Sequence, residues 1–92
     1  MTVVRWRIRI YGKVQGVFFR KYAWRTAQAL GLKGFVKNEI DGSVLAEVEG
    51  APAEVEKFFQ WAHRGSPAAR VEHVEVEKNL PPQGDLSFEI RE

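Results

Sequence analysis

Polar and apolar positions alternate strictly near the start of the chain: Val4, Trp6, Ile8 and Ile10 fall on one side, Arg5, Arg7 and Arg9 on the other. A period of two is that of a strand with one face buried. The spacing then turns helical, with Phe19, Ala23, Ala27 and Leu30 on one stripe of a helix predicted over Phe18 to Leu30. Gly31 supplies the left-handed residue that ends it. Leu32 to Asn38 reads as a second strand, and Asp41-Gly42 as a hairpin turn into a third, Ser43 to Glu49, with Val44, Ala46 and Val48 in phase. Pro52 sits near the start of a second helix, in which Val55, Phe58, Phe59 and Ala62 recur at i, i+3, i+4 and i+7. Its acids Glu54 and Glu56 come early and His63 and Arg64 late, as the helix dipole favours, before Gly65-Ser66-Pro67 ends it. Arg70 to Glu77 alternates again, Leu80 to Asp85 is a Pro/Gly loop, and Leu86 to Arg91 is a short last strand with Phe88 and Ile90 in phase.

The element order is therefore βαββαβ plus a terminal strand. Strands with one face toward water and the other toward helices imply an α+β sandwich, an antiparallel sheet with two helices on one face. Right-handed crossovers make the first two strands parallel and insert the third between them, which is the ferredoxin-like arrangement. Parallel first and second strands end at the same edge of the sheet. Asn38, closing the second, is thereby brought near whatever follows the first.

Composition narrows the chemistry. Ninety-two residues suffice for one domain, residues 1–92, and 45% hydrophobic with 12% aromatic residues suits a compact core. The chain has no cysteine, which excludes disulfides, thiolate metal sites and a thiol nucleophile, including the loop-cysteine phosphatases. A net charge of +2 permits anionic ligands without calling for nucleic acid. No apolar run approaches the roughly 20 residues that cross a bilayer, and the arginine-studded N-terminus has no signal-peptide core. The expectation is a cytoplasmic monomer that does not engage membranes.

Between the first strand and first helix lies Gly12-Lys13-Val14-Gln15-Gly16-Val17-Phe18-Phe19-Arg20. Its glycines let the backbone turn sharply, and the helix start offers unpaired N–H groups at the positive end of a dipole. Arg20 adds a guanidinium that can grip two oxygens of one anion. On spacing alone, an ion pair with Glu39 or Asp41 is the commoner role for such an arginine, and turn capping the commoner role for an asparagine such as Asn38.

The stretch resembles the acylphosphatase signature Gly-x-Val-Gln-Gly-Val-x-Phe-Arg at Gly12, Val14, Gln15, Gly16, Val17, Phe19 and Arg20. A second family signature is matched by Gly34-Phe35, Asn38, Gly42, Val44 and Gly50. The resemblance implies hydrolysis of the carboxyl–phosphate bond of a small-molecule acyl phosphate, without metal or cofactor. It also implies the roles: Gln15, Gly16, Val17, Phe18, Phe19 and Arg20 form the phosphate-binding loop, Arg20 binds the phosphoryl group, and Asn38 positions the attacking water. The chain departs from many members at Ala23, where they carry Thr, and at Phe35, where they carry Trp; neither change touches the loop or the asparagine.

Three other readings compete with this one. His63 and His73 lack an acidic partner motif that would make them bases or metal ligands. RNA-recognition modules share the topology, and Arg5, Arg7 and Arg9 form a basic stripe, but Glu47 and Glu49 on one side and Glu75 and Glu77 on the other are expected to neutralise it. Acylphosphatase-like domains also open large carbamoyl-transferring maturation proteins; the chain's end at Glu92 is read as favouring a free-standing enzyme. Asp41 is assigned to its turn.

Overall fold

A computed structural model describes residues 2–92. It contains β1 (Val4–Lys13), α1 (Phe19–Ala29), β2 (Lys33–Asn38), β3 (Val44–Gly50), α2 (Pro52–Ala62), β4 (Arg70–Leu80) and β5 (Phe88–Arg91). The element order and the ferredoxin-like α+β fold are those expected. The strands form one sheet in the order β4-β1-β3-β2-β5. β3 lies between β1 and β2 and runs antiparallel to both.

The sheet is not purely antiparallel, because β5 pairs parallel to β2. The cause is the connection that delivers it. β4 and β5 occupy opposite edges, so residues 81–87 must cross the whole sheet. Four inter-strand steps span roughly 19 Å, and an extended chain of that length reaches about 23 Å. This strap has little slack and passes over the face without helices.

Register decides what each face does. Trp6, Ile8 and Ile10 of β1 stand opposite Val48, Ala46 and Val44 of β3, and Gly34, Val36 and Asn38 of β2 stand opposite the same three. This face carries the helices, and Ile8, Ile10, Val36, Val44 and Val48 are fully buried against Phe19, Ala23, Ala27, Val55 and Phe58. Burying an aliphatic or aromatic side chain contributes roughly 1.5–3 kcal/mol. Asn38 shares this face, at the sheet edge where α1 begins. The hydrophobic rows thus aim a polar side chain at the helix start.

The opposite face carries the arginine stripe, and there the structure corrects the expectation of an open, solvated surface. Arg5 is only 3% exposed. Its Nε donates to Glu47 Oε1 at 2.8 Å, and its Nη1 to Glu49 Oε1 and Asp85 Oδ2 at 3.0 Å each. Arg7 shares Glu47 and reaches Glu77, while Arg9 pairs with Glu39. Glu49 also accepts the backbone N–H groups of Gln83 and Gly84. The strap is thus clamped by charges on β1 and β3. With its guanidinium groups already satisfied by carboxylates, the stripe gives the RNA-binding reading no support.

Burial opposes the ionisation of Glu47 and Glu49, but hydrogen bonds from Arg5 and Arg7 to Glu47, and from Gln83 N–H and Arg5 to Glu49, outweigh it and hold both carboxyls below their ordinary value of 4.5. Their stabilising contribution is therefore complete above that value and lost as pH falls through the lowered folded-state values. We predict that the urea midpoint drops on acidification from pH 7 to about pH 3, and that Glu47→Gln starts lower at pH 7 and drops less. Equal drops in both proteins would rule the clamp out as the source.

Candidate functional site

The loop between β1 and α1 leaves its backbone donors free. Among the described residues, no N–H from Gln15 to Arg20 has an acceptor in the protein; the first to find one after the loop is that of Tyr22, which bonds Phe18 O at 3.2 Å. Gly16 and Phe18 both adopt left-handed backbone, with φ 74° and 62°. Left-handed residues alternating with ordinary ones turn successive N–H groups toward one point, a concavity suited to an anion. Phe18 is the N-cap of α1 and offers no side-chain cap, so the helix start keeps its donors as well. Holding a phenylalanine in this conformation costs about 1 kcal/mol or more.

A loop with no backbone bonds of its own needs other anchors, and its side chains provide them. Val17 and Phe19 are buried at 6% and 2% exposure, the Phe19 ring 5.1 Å from that of Trp61. Gln15 Nε2 donates to Glu39 O at 2.7 Å and to Ser43 O at 2.9 Å, tying the loop to the β2–β3 turn. Buried Ser66 donates its hydroxyl to Val17 O at 2.8 Å. Next to it Gly65 packs so closely that a Cβ there would lie 2.7 Å from the Phe19 ring. Gln15 and Val17 are thus turned away from the cleft described next. They anchor the loop rather than line it.

The loop opens on a cleft of about 360 Å³, whose walls include Gly16, Phe18 and Arg20 together with Asn38 and Ile90. It continues into an adjoining region bordered by Arg20, Asn38, Ile90 and Glu92. Arg20 does not pair with Glu39 or Asp41. Glu39 is taken by Arg9 at 3.0 Å and Lys37 at 3.7 Å, and Asp41 accepts the Ser43 N–H and hydroxyl within its own turn. Those bonds, the hydroxyl's first, keep the Asp41 carboxyl below its ordinary range. Arg20 Nη1 instead donates to the backbone carbonyl of Arg91 at 2.9 Å, and its other donors have no acceptor among the described residues. Asn38 makes no side-chain hydrogen bond among the described residues, although it is half-buried at the cleft.

The fold therefore brings together the two side chains expected to act, Arg20 and Asn38, over a floor of unpaired amides. The acylphosphatase family model matches residues 6–90. The chain belongs to the acylphosphatase family.

Relatives agree over nearly their whole lengths. An acylphosphatase of Anaeromyxobacter dehalogenans is 54% identical over 96% of this chain and 95% of its own, and one of Thermococcus kodakarensis is 49% identical over 98% of each. The crystal structure of acylphosphatase from Bacillus subtilis superposes with a TM-score of 0.93 at 32% identity, covering 97% of this chain and 99% of that one.

The histidines stand elsewhere. His63 caps α2 and its Nδ1 lies 2.9 Å from Phe59 O, while exposed His73 stacks on Tyr11 out on β4. Ser66 and the Arg91 carbonyl escaped the sequence reading. Ser66 sat in a Gly-Ser-Pro stretch that signals only a helix end, and a backbone carbonyl has no sequence signature. Of the two departures, Ala23 is wholly buried in α1, and the Phe35 ring lies on the strap face with the Arg91 guanidinium 4.2 Å from its centroid.

We predict that Ser66→Ala, which leaves the buried Val17 carbonyl without its donor, lowers stability by about 1–2 kcal/mol and also lowers kcat/KM for an acyl phosphate. Lost stability with unchanged kinetics would mean the loop holds its shape without this tether.

Proposed function

We propose that the amides from Gln15 to Arg20 and the guanidinium of Arg20 hold the phosphoryl group of an acyl phosphate while the Asn38 carboxamide holds the attacking water. The reaction is hydrolysis of a carboxyl–phosphate anhydride to carboxylate and inorganic phosphate. The observation that carries the assignment is the convergence of Arg20 and Asn38 on one cleft above a loop whose N–H groups lack partners.

The division of labour follows from the chemistry. Phosphoryl transfer passes through a loose transition state with charge on the equatorial oxygens, so catalysis consists mainly of positioning and electrostatic stabilisation. Amides and Arg20 supply fixed positive ends for those oxygens. The water oxygen attacks phosphorus opposite the acyl oxygen, and the P–O bond to the acyl group breaks with its electron pair leaving on the carboxylate. The water's proton passes to a phosphate oxygen. Because a carboxylate leaves readily, no general acid is required. The Asn38 carboxamide, neutral and without a hydrogen-bond partner among the described residues, can accept from and donate to a water at once. The proposal includes residues 1–92 acting as one domain, a monomer in the cytoplasm, independent of metal, cofactor and nucleic acid.

The direct test is hydrolysis of a simple acyl phosphate in the presence of a chelator, with inorganic phosphate as competitive inhibitor; no turnover, or turnover indifferent to phosphate, would overturn the reading. We predict that Arg20→Ala costs about 3 kcal/mol or more in kcat/KM, through both kcat and KM, and a steady-state curve like that of the native chain would dismiss the phosphoryl contact. Asn38→Ala is predicted to lower kcat chiefly and leave phosphate inhibition near its native strength. Loss of phosphate inhibition instead would assign Asn38 to phosphate binding.

A further inference from the structure

Phe18 is the loop residue whose large side chain has no structural employment. Val17 and Phe19 are in the core and Gln15 is bonded to the hairpin, yet the Phe18 ring is 72% exposed at the cleft. It occupies a position that the family signature leaves open, in a left-handed backbone conformation (φ 62°, ψ 25°) that an aromatic residue rarely adopts. Ile90, 49% exposed, borders the same cleft from β5, where it pairs with Val36 in register. Two of the six exposed large apolar side chains among the described residues therefore border one site, beside the loop that would hold the phosphate. A phosphoryl group seated on the amides places its acyl substituent in the cleft that both side chains border.

We propose that Phe18 and Ile90 form an apolar seat for the acyl group, so that the preferred substrates are acyl phosphates with aromatic or branched aliphatic acyl groups. The inference rests on the phosphate site argued above. Lys21 also borders the cleft and Glu92 its continuation, so a charged acyl group would meet both signs there. Contact between the ring and an acyl group remote from phosphorus is made equally in the ground and transition states. It acts through KM, with kcat little changed.

The test compares acetyl, butanoyl and benzoyl phosphates and one acyl phosphate ending in a second carboxylate. The native chain is expected to favour benzoyl over acetyl phosphate by about tenfold in kcat/KM, equivalent to about 1.4 kcal/mol, the scale expected for covering part of an aromatic ring. Phe18→Asn removes the ring while keeping a residue that tolerates left-handed backbone, and Ile90→Ser removes the facing alkyl group from a partly exposed edge strand. Each should lower the benzoyl-to-acetyl ratio several-fold, and differences in intrinsic reactivity cancel when native and variant ratios are compared. A flat series in the native chain, best activity on the dicarboxylic substrate, or unchanged ratios in both variants would each overturn the seat. Those outcomes leave the phosphate site standing if acetyl phosphate is still hydrolysed with competitive phosphate inhibition. Loss of acetyl phosphate hydrolysis in the native chain would remove the site and the seat together.

Discussion

A backbone that must keep its N–H groups free for a ligand cannot use them to hold itself in place. The β1–α1 loop, proposed to hold a phosphoryl group, is built under that constraint. In most turns the N–H groups close the turn; here those from Gln15 to Arg20 find no acceptor among the described residues. The compensation falls on carbonyls and side chains: Ser66 grips the Val17 carbonyl, Gln15 grips the hairpin carbonyls, and Val17 and Phe19 are sunk in the core. The partners in these contacts, the β2–β3 turn, Ser66 and Trp61, come from different parts of the chain, so the loop takes its shape only when the whole fold is assembled. The left-handed backbone at Phe18 belongs to the same arrangement, a local strain that the surrounding packing maintains.

The strap imposes a similar dependence at the other side of the cleft. β5 supplies Ile90 and the Arg91 carbonyl that orients Arg20, and β5 reaches its edge only because residues 81–87 cross the sheet. The charges beneath that crossing are buried, and isolated buried charges are costly. They are tolerated because Arg5 is matched by Glu47, Glu49 and Asp85, with Gln83 and Gly84 N–H groups completing Glu49. A replacement of the cluster by apolar residues could match it in stability. It would not fix the strap's path, because apolar contact has no direction whereas a shared carboxylate does. Arg5 is thus connected to Arg20 through Asp85, the strap, β5 and the Arg91 carbonyl.

Most of the fold was legible because its signals are periodic. The alternation of β1, the stripe Phe19-Ala23-Ala27, the Asp41-Gly42 turn and Gly31 after the first helix each carry their own local physics, and each lies where its pattern placed it. The pairing of the first two strands through the third followed from crossover handedness, and it put Asn38 beside the loop. What stayed hidden is non-local. Residues 80–85 read as a loop, and nothing in their composition says that a loop crosses a sheet and buries an arginine. The alternation of Arg5, Arg7 and Arg9 marks a face as polar without telling whether that face is wet. The candidate site was legible in Arg20 and Asn38, which the motifs mark and the fold brings to one cleft. It was illegible in its supports, because a serine after a glycine and the carbonyl of a terminal-strand residue look like any others.

Few side chains are needed because the leaving group and the charge distribution of this reaction already favour it. A carboxylate departs without a proton, so the acid that an amide or ether substrate would demand has no place. The remaining task is to stabilise three oxygens in fixed positions and to direct one water, and amide dipoles do this without reorganising as the reaction proceeds. Such dipoles are effective only if rigid and partly screened from water. A loop that is anchored through its carbonyls and whose partners are otherwise satisfied meets that condition; a flexible one with the same sequence motif would not. Rigidity of the anchors, rather than the identity of additional polar groups, thus sets how well this small scaffold can serve the chemistry.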